Sequence, residues 1–445
     1  MQKDDKLKRQ IGLRTATALV IGEVIGVGIF LTPAGMAKSI GSPALVLLVW
    51  LVMGATALCG ALCYGELAAR FPAAGGGYVY LREAYGPGVA FLYGWMAFLV
   101  MDPGITAALA IGMAGYVGYG LGLSPLWMKI VAIVAIILVA AINIRGVKLG
   151  GWLIRWLTIC KLGMLLFILL WGFGLRLGDW GNFTPFIPQR EGSLPIFGAL
   201  AGAMVAAFFS FGGWWDVTKL AGEVRDPART LPRALACGVI IVTLVYILTS
   251  AVFIYLVPLE RVASGETFAA QAGEALFGRV GGQVFSAVVI VAVLGSLAGI
   301  IMSAPRVYFA MARDGLFIPA AASLQARYGT PARAIGLQAA LASLLVALGT
   351  FDQIVSYFIF VVVIFIALTV AAIFVLRRRD ASESNYLTPG YPATPLIFLL
   401  LIALLLFLLG ANNPKQALLG VVVVAAGLPF YYLIFRRTRA AQKPD

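Results

Sequence analysis

Long apolar stretches alternate with short polar connections along almost the whole chain. A helix that crosses a hydrocarbon core of about 30 Å needs about 20 mostly apolar residues. Twelve stretches approach this length, and in chain order they form spans 1 to 12, near residues 12–36, 42–69, 86–120, 125–145, 150–174, 193–222, 232–257, 280–312, 333–350, 353–376, 393–411 and 415–435. The pattern predicts an all-α membrane protein with twelve transmembrane helices.

The composition excludes a water-soluble globule. Hydrophobic residues make up 61% of the 445 positions and charged residues only 12%, whereas a soluble domain carries about 25% charged residues. Too few polar side chains are present to cover a globule of this size. Lipid therefore has to cover much of the surface.

The positive charges are distributed unevenly between the connections. With the N-terminus placed in the cytoplasm, 25 of the 33 Lys and Arg fall on the cytoplasmic side, seven fall outside, and Lys161 lies within span 5. Such an excess follows the positive-inside rule. The net charge of +14 thus predicts a multi-pass protein of the cell membrane with both termini in the cytoplasm, and no nucleic-acid partner.

The chain is predicted to form one transport domain over residues 1–445. Ten spans divide into two halves of five, over 12–174 and 193–376, and a final pair follows over 393–435. Each half opens with a glycine-interrupted span, at 26–28 in span 1 and at 209–213 in span 6. Such a pair of interruptions indicates discontinuous helices at a binding site near the midplane. Close packing of helices through small residues is the alternative interpretation.

Four motifs carry a resemblance to a known family. They are GEVIGVGIFLTP at 22–33, YGELAARFPAAGGGYVYLREAYGPG at 64–88, FFSFGGWWDVTKLAGEVRDPARTLPRA at 208–234 and SAPRVYFAMARDG at 303–315. In this order and spacing the chain resembles the amino acid–polyamine–organocation superfamily, close to the L-type amino acid transporters and their bacterial relatives. The resemblance implies the leucine-transporter-type fold, with spans 1–5 and 6–10 as inverted repeats and spans 1 and 6 broken.

The resemblance also implies a substrate site at the two breaks. Backbone N–H groups of Val27 and Gly28 would hold the carboxylate of an amino acid, and carbonyls of Val24, Phe209 and Gly212 would hold its ammonium. Many relatives have a small residue at Val27, so here a hydroxyl contact is missing and a branched side chain narrows the pocket. The full implied set is Val24, Gly26, Val27, Gly28, Phe209, Ser210, Phe211 and Gly212 for substrate binding, and Phe209, Trp214 and Asp102 for the gate and side-chain pocket.

Lys161 is the lysine deepest within a span. A lysine at the centre of a span costs about 3 kcal/mol on insertion scales, and its long apolar flanks argue against snorkelling to an interface. By resemblance, its ammonium stands where sodium-coupled relatives bind a cation, and it would bond the carbonyls of Gly22 and Ile25 and the hydroxyl of Ser296. This predicts sodium-independent transport. Because burial favours a neutral amine, Lys161 is also a candidate for proton coupling.

Two intramembrane carboxylates have open roles. Glu23 adjoins the break in span 1, where it could pair with Lys161, titrate during transport, or bond freed backbone N–H groups. Asp102 in span 3 either selects cationic or polar side chains or caps the helix that restarts at Pro103. Proton coupling has to use Lys161 or a carboxylate, because the chain has no histidine. Proton symport and obligatory exchange both remain open.

Two further motif segments are predicted to form cytoplasmic loops. The first is GGGY at 75–78, after span 2. The second follows span 6, where Glu223, Arg225 and Arg229 are predicted to brace the loop through ion pairs that are individually weak in water, about 0–1 kcal/mol each.

Other classes of function are less consistent with these residues. Without histidine, the common Ser-His and Cys-His nucleophiles and histidine-bound metal sites are excluded, so no enzyme is predicted. No nucleotide-binding motif is present, and neither a cofactor nor a metal is expected. A channel would need a polar pore stripe or a ring of charges. A sensor that binds amino acids without moving them would differ only in a flux assay.

The predicted function is therefore secondary active transport of amino acids by alternating access. The aromatic and small residues at the breaks favour neutral L-amino acids, whereas Asp102 leaves a cationic amino acid or a polyamine as the alternative. The four cysteines all fall within predicted spans, and the loop after span 3 has none. We therefore expect no disulfide-linked heavy subunit.

Overall fold

The computed structural model describes residues 7–26, 28–189, 193–258, 273–274, 276–349, 351–379, 385–412 and 414–435. Among these residues the chain is helical, and the one β contact is an isolated parallel bridge between Ile11 and Val224. The helices are α1 Leu13–Val24, α2 Gly28–Ile40, α3 Pro43–Arg70, α4 Gly77–Tyr85, α5 Pro87–Met96, α6 Asp102–Leu121, α7 Pro125–Ile144, α8 Val147–Gly174, α9 Ile196–Phe211, α10 Pro227–Leu256, α11 Gly281–Ser303, α12 Pro305–Arg313, α13 Ala332–Leu348, α14 Phe351–Arg379, α15 Ala393–Asn412 and α16 Pro414–Phe430.

Many of these helices are long and apolar enough to cross a membrane. Among the described residues nine candidate spans meet both criteria, from Pro43–Arg70 to Ala393–Ala411. Two shorter apolar helices, Ala332–Leu348 and Leu418–Leu433, and the α1–α2 pair lie where the sequence predicts the other three spans. Large apolar side chains such as Leu126, Trp127 and Phe407 are exposed on outer faces. The chain is thus a multi-pass membrane protein, because these faces need lipid around them.

The start of α3 shows how a polar connection gives way to a span. Ser42 is extended and its hydroxyl accepts a bond from Leu45 N, and Pro43 follows at the first helical position, where its missing N–H does no harm. The same hydroxyl donates to Ile187 O over 2.8 Å. This cap therefore also ties the start of span 2 to the long connection before span 6.

The segment predicted as a GGGY loop is partly helical. Gly75 and Gly76 have positive φ, and α4 follows directly over Gly77–Tyr85. Its Tyr78 donates a hydrogen bond of 2.7 Å to Asp314 beyond α12, and Arg82 pairs with the same carboxylate. The prediction of a plain loop is wrong because hydropathy does not register a short helix whose apolar face packs inward.

The connection after span 6, predicted to be cytoplasmic, has regular structure. Glu223 accepts two bonds from Arg306, Nε to Oε1 at 2.7 Å and Nη2 to Oε2 at 3.2 Å, and both side chains are 1% exposed. Glu223 thus forms an ion pair, but with Arg306 and away from water, so the weak pairing expected in water does not apply to it. Arg229, in contrast, lies 4.0 Å from Asp226 on an exposed surface, as expected of a loop pair.

The N-terminal segment is attached to this same connection. Gln10 N and Ile11 N donate to Glu223 O over 2.7 and 2.9 Å, and Arg225 N donates to Ile11 O over 2.8 Å. The start of span 1 is thereby fixed to the chain that leaves span 6. From there α1 runs inward and packs against α8, α10 and α11, which places its end at the centre of the helices.

Candidate functional site

The first predicted span is broken at its middle. Helix α1 ends at Val24, Ile25 leaves the helical conformation with ψ 81°, and α2 begins at Gly28. The first N–H groups of a helix and the last carbonyls of the preceding one have no partners within their own helices. The break therefore presents donors at the start of α2 and acceptors at the end of α1. Val27, predicted to bind a carboxylate, lies outside the described residues.

Span 6 is broken at its glycine pair. Helix α9 ends at Phe211, Gly212 is extended with ψ 144°, and Gly213 has φ +105°. This left-handed region is open to glycine at little cost and strained for other residues. The chain resumes as a 3-10 helix over Asp216–Glu223. Both breaks thus occur where the paired glycines predicted them.

A cavity lies between the two breaks. About 800 Å³ of space outside protein atoms lies there, including space that is open to solvent. Its walls include six of the predicted substrate-binding residues, namely Val24, Gly26, Gly28, Phe209, Ser210 and Gly212. Its apolar side is formed by Ile105, Ala108, Leu109, Ile300 and Val362. The cavity therefore joins backbone polar groups to a mostly apolar wall.

Two predicted residues lie elsewhere. Phe211 packs with its ring 6.1 Å from Trp50 and 5.1 Å from Tyr246, and Trp214 packs edge-on against Tyr64 at 5.1 Å. Neither lines the cavity, whereas Trp215 does. Trp214 as a gate therefore stays a prediction, because its ring lies outside the cavity lining in this structure. The left-handed turn at residue 213 rotates the chain, so the helical period no longer tells which tryptophan faces inward.

Tyr246 joins the two breaks from α10 and was not predicted. Its hydroxyl lies 2.8 Å from both Val24 O and Ser210 O. Val24 O also accepts from Gly26 N at 2.8 Å, and the single hydroxyl hydrogen of Tyr246 can go either to Val24 O or to Ser210 O. Val24 O is thus only partly available to an ammonium. The signal in the sequence is a lone tyrosine inside an apolar stretch, VTLVYILTS.

Lys161 reaches the end of α1 from α8. Its side chain is fully buried, and Nζ donates to Gly22 O at 2.9 Å and to Ile25 O at 2.6 Å. The Ser296 hydroxyl on α11 lies 2.7 Å from Gly22 O and 3.2 Å from Ile25 O. The structure thus brings together the four residues that the sequence singled out. Lys161 donates to both carbonyls, and the single hydroxyl hydrogen of Ser296 can go to either of them, with Gly22 O the nearer.

Two of the three roles predicted for Glu23 depend on contacts, and neither contact is present among the described residues. Glu23 lines the cavity and is 8% exposed, and neither carboxylate oxygen has a hydrogen-bond partner there. Neither an ion pair with Lys161 nor a bond to a freed backbone N–H is present in this part of the chain. A buried carboxylate without donors is unusual, because burying it uncompensated is costly.

Asp102 belongs to a second buried group, which we call the Lys219 cluster: Asp102, Asp216, Lys219 and Tyr308. Lys219 Nζ donates to Asp102 Oδ1 at 2.9 Å and lies 2.7 Å from Asp216 Oδ1, and Tyr308 donates to Asp102 Oδ2 at 2.9 Å. All the charged side chains of the cluster are at most 2% exposed.

The Lys219 cluster corrects both interpretations of Asp102. Its side chain neither lines the cavity nor caps a helix, since Lys219 and Tyr308 occupy it. Lys219 itself was counted among the loop lysines. The signal for its burial is the spacing to Asp216, because residues three apart share a face in helical turns.

The chain is similar to known proteins over nearly its whole length. The sequence profile of the family described as amino acid permease matches residues 11–434. The serine/threonine exchanger SteT of Bacillus subtilis (strain 168) is 35% identical over 446 residues, which cover 98% of this chain and 99% of that protein.

Two animal proteins are similar over a comparable length. The large neutral amino acids transporter small subunit 2 of Homo sapiens is 28% identical over 437 residues, 96% of this chain and 80% of that protein. The b(0,+)-type amino acid transporter 1 of Rattus norvegicus is 29% identical over 454 residues, 99% of this chain and 91% of that protein.

Proposed function

The chain belongs to the amino acid permease family, and on this premise we propose that it exchanges neutral L-amino acids across the cell membrane without sodium. It is a transporter and not an enzyme. The observation that carries the proposal is the cavity between two broken helices, lined by six of the residues implied for substrate binding. An amino acid presents a carboxylate and an ammonium two bonds apart, and the two breaks offer donors and acceptors on opposite sides of one cavity.

The fold proposed with this function is the inverted repeat. Residues 12–174 and 193–376 would form two halves of five spans, and 393–435 the final pair, in a single domain. Helix breaks in the first span of each half support this division, because paired discontinuous helices are typical of such transporters. Alternating access would then tilt the broken helices against the rest around a fixed cavity.

Apolar contacts favour a neutral side chain on the substrate. The wall formed by Ile105, Ala108 and Leu109 belongs to span 3, and an apolar wall rewards burial of an apolar side chain. A cationic side chain would have needed Asp102, and Lys219 already pairs with it. The carboxylate of the substrate is assigned to the backbone N–H groups of Val27 and Gly28, where a helix begins.

Independence from sodium is proposed from the position of Lys161. Two carbonyls and a hydroxyl converge at the end of α1, an oxygen-rich arrangement of the kind that hard cations prefer. Here an ammonium donates to both carbonyls. A sodium ion would have to displace it, so the covalently attached charge replaces the ion.

Membrane orientation and assembly complete the proposal. Both termini are placed in the cytoplasm by the excess of positive charge on that side. The four cysteines lie within helices, at Cys59, Cys63, Cys160 and Cys237. None is in the connection between α6 and α7, and we propose that the carrier works without a disulfide-linked heavy subunit.

The test is exchange in proteoliposomes that contain the purified full chain. Vesicles loaded with unlabelled L-alanine, L-serine or L-leucine should take up radiolabelled L-alanine, and empty vesicles should take up far less. Replacing sodium by choline should leave the rate unchanged, and external L-lysine or L-arginine should not compete. Uptake that requires sodium would refute the role of Lys161. Binding without any flux would identify a sensor.

A further inference from the structure

The unpartnered carboxylate of Glu23 lies at the junction of the two breaks. It is the residue before Val24, where α1 ends, and a Cβ built on Gly213 would lie 3.3 Å from Glu23 Cβ. Its side chain is 8% exposed, and both oxygens lack hydrogen-bond partners among the described residues. The carboxylate therefore stands in the cavity wall, next to both broken ends.

Helix α11 leaves room for this carboxylate. A Cβ built on Gly299 would lie 2.8 Å from Glu23 Oε1 and 3.0 Å from Cδ, closer than real Cβ atoms approach a neighbour. Any other residue at Gly299 would displace the carboxyl group. The position is thus a formed niche on three elements, the end of α1, the turn at Gly213 and the middle of α11.

No side-chain cation of the described residues is free to neutralise Glu23. From α8, Lys161 donates to two carbonyls of α1. From the 3-10 segment, Lys219 pairs with both Asp102 and Asp216, and Asp216 also lines the cavity. From α10, the hydroxyl of Tyr246 is used by backbone carbonyls. Among the residues that the structure describes, the negative charge of Glu23 is therefore left without a positive partner.

A buried carboxylate in this situation requires a monovalent cation. Left charged and without donors it would be very unfavourable, and such a group becomes neutral instead. In an empty cavity the available neutraliser is a proton. In a loaded cavity it is the ammonium group of the amino acid, which brings three N–H donors. The carbonyl of Val24 already accepts from Gly26 N and lies 2.8 Å from the Tyr246 hydroxyl, whereas the carboxylate has no donor among the described residues and carries a charge, so the carboxylate is the better acceptor for that group.

We propose that Glu23 holds a proton when the cavity is empty and the ammonium group of the substrate when it is loaded. Binding of an amino acid then releases one proton from the carboxyl group to water, while the ammonium keeps all three of its own. This inference rests on the proposed function and names the group that binds the ammonium.

Proton release couples the net transport of an amino acid to the movement of a proton. When one amino acid is exchanged for another, Glu23 is loaded on both crossings and no net proton moves. When the carrier returns empty, it returns protonated, so net movement of an amino acid in one direction moves a proton in the other. A pH gradient would therefore drive net transport, although exchange itself would not depend on it.

The test measures protons released on binding. The purified full chain is titrated with L-alanine, L-serine or L-leucine by calorimetry in phosphate and in Tris, which differ in protonation enthalpy, between pH 5 and pH 8. We expect release of about one proton per amino acid at the acid end of the range. In that part of the range the affinity should fall about tenfold for each unit by which the pH is lowered. Both effects should disappear towards alkaline pH, where the free carboxylate is ionised.

Variants assign the effect to this residue. Glu23→Gln should bind more weakly, release no proton and lose the pH dependence. Glu23→Asp should keep proton release, which covers the case in which the Gln variant does not fold. Glu274→Gln changes an exposed carboxylate and should behave as the wild type.

The outcomes separate this inference from the proposed function. Tight binding by the wild type without proton release at any pH, or an unchanged pH profile in Glu23→Gln, would overturn the role of Glu23 and leave the transporter intact. Competition by sodium chloride in place of protons would also overturn it. Failure of the wild type to bind any of the three amino acids would refute the proposed function itself.

Discussion

Lys219 is the shared ion-pair partner of two buried carboxylates. It is 1% exposed, donates to Asp102 and lies 2.7 Å from Asp216. Removing one partner of a buried pair leaves an uncompensated charge, and this is strongly destabilising, by about 3–5 kcal/mol. The Lys219 cluster therefore matters for stability mainly because removal of Lys219 would leave buried carboxylates unpaired.

We expect Lys219→Met to destabilise the protein by about 3–5 kcal/mol, because two carboxylates would remain buried beside each other. The loss is measured as a lower unfolding temperature in detergent. Adding Asp102→Asn should recover part of the stability by removing one of the orphaned charges.

The matched control for this prediction is Lys148→Met. Lys148 is exposed on α8, so its loss should change stability by no more than about 0.5 kcal/mol. An equal loss in both variants would show that burial of Lys219 is not the cause.

Some residues of the site could be predicted from sequence and others could not. Lys161 was recognisable because a lysine inside an apolar span is rare, and the resemblance supplied its contacts with Gly22 and Ile25. Lys219 was not, because it stands close to Arg225 in a polar stretch that is typical of a loop. Tyr246 was missed for another reason, since hydropathy does not tell which face of span 7 a residue occupies.

At the scale of elements, the turn at Gly213 decides the geometry of the second break. Its φ of +105° places Trp215 and Asp216 in the cavity wall, after a helix that would otherwise have continued. A residue with a Cβ in such a conformation carries strain of about 1–3 kcal/mol.

Gly213→Ala should therefore lower the exchange rate in proteoliposomes and reduce stability by about 1–3 kcal/mol. The new Cβ would also approach Glu23, at 3.3 Å from its Cβ. The two effects act on the same break, so both readouts should change together.

Gly198→Ala provides the comparison on α9, where an added Cβ has no neighbour within 4 Å. In a helix interior Ala is favoured over Gly by up to about 1 kcal/mol. This variant should retain exchange and gain or keep stability. If both variants lost exchange equally, the turn at Gly213 would not be the cause of the slower exchange.

Span 3 shows an irregularity that hydropathy cannot reveal. The sequence predicts one helix over 86–120, whereas a π-helical turn, Ala97–Met101, separates α5 from α6. Pro103 follows within α6, and a proline ring clashes with the carbonyl four residues earlier, here that of Leu99. A π-turn widens the helix at that point. The apolar pattern is unchanged by the turn, so the pattern predicted the span but not its shape.

At the scale of the whole molecule, the asymmetry of charge predicts orientation. The connection between α6 and α7 is assigned to the outside and the one after α12 to the cytoplasm. In a background without the four native cysteines, Ser124→Cys should react with a membrane-impermeant maleimide in intact cells. Ala326→Cys should react only after permeabilisation. Both positions are exposed, so a reversed result would invert the proposed topology.

The architecture was predictable to the extent that it depends on apolar length and on ordered motifs. In the part of the chain that the structure describes, nine long helices coincide with predicted spans, and the family was recognisable from four motifs. Short helices that pack inward, such as Gly77–Tyr85, were not predictable, because neither length nor hydropathy separates them from loops. The number of twelve spans stays a prediction.

The backbone bonds that join Gln10 and Ile11 to Glu223 and Arg225 have a consequence for coupling. The start of span 1 is fastened to the chain that leaves span 6, so we expect the two broken spans to reorient together. A chain shortened past Ile11 would lose that fastening, and each half-helix would tilt by itself. We expect such a carrier to leak, releasing one amino acid without waiting for another, as a uniporter does.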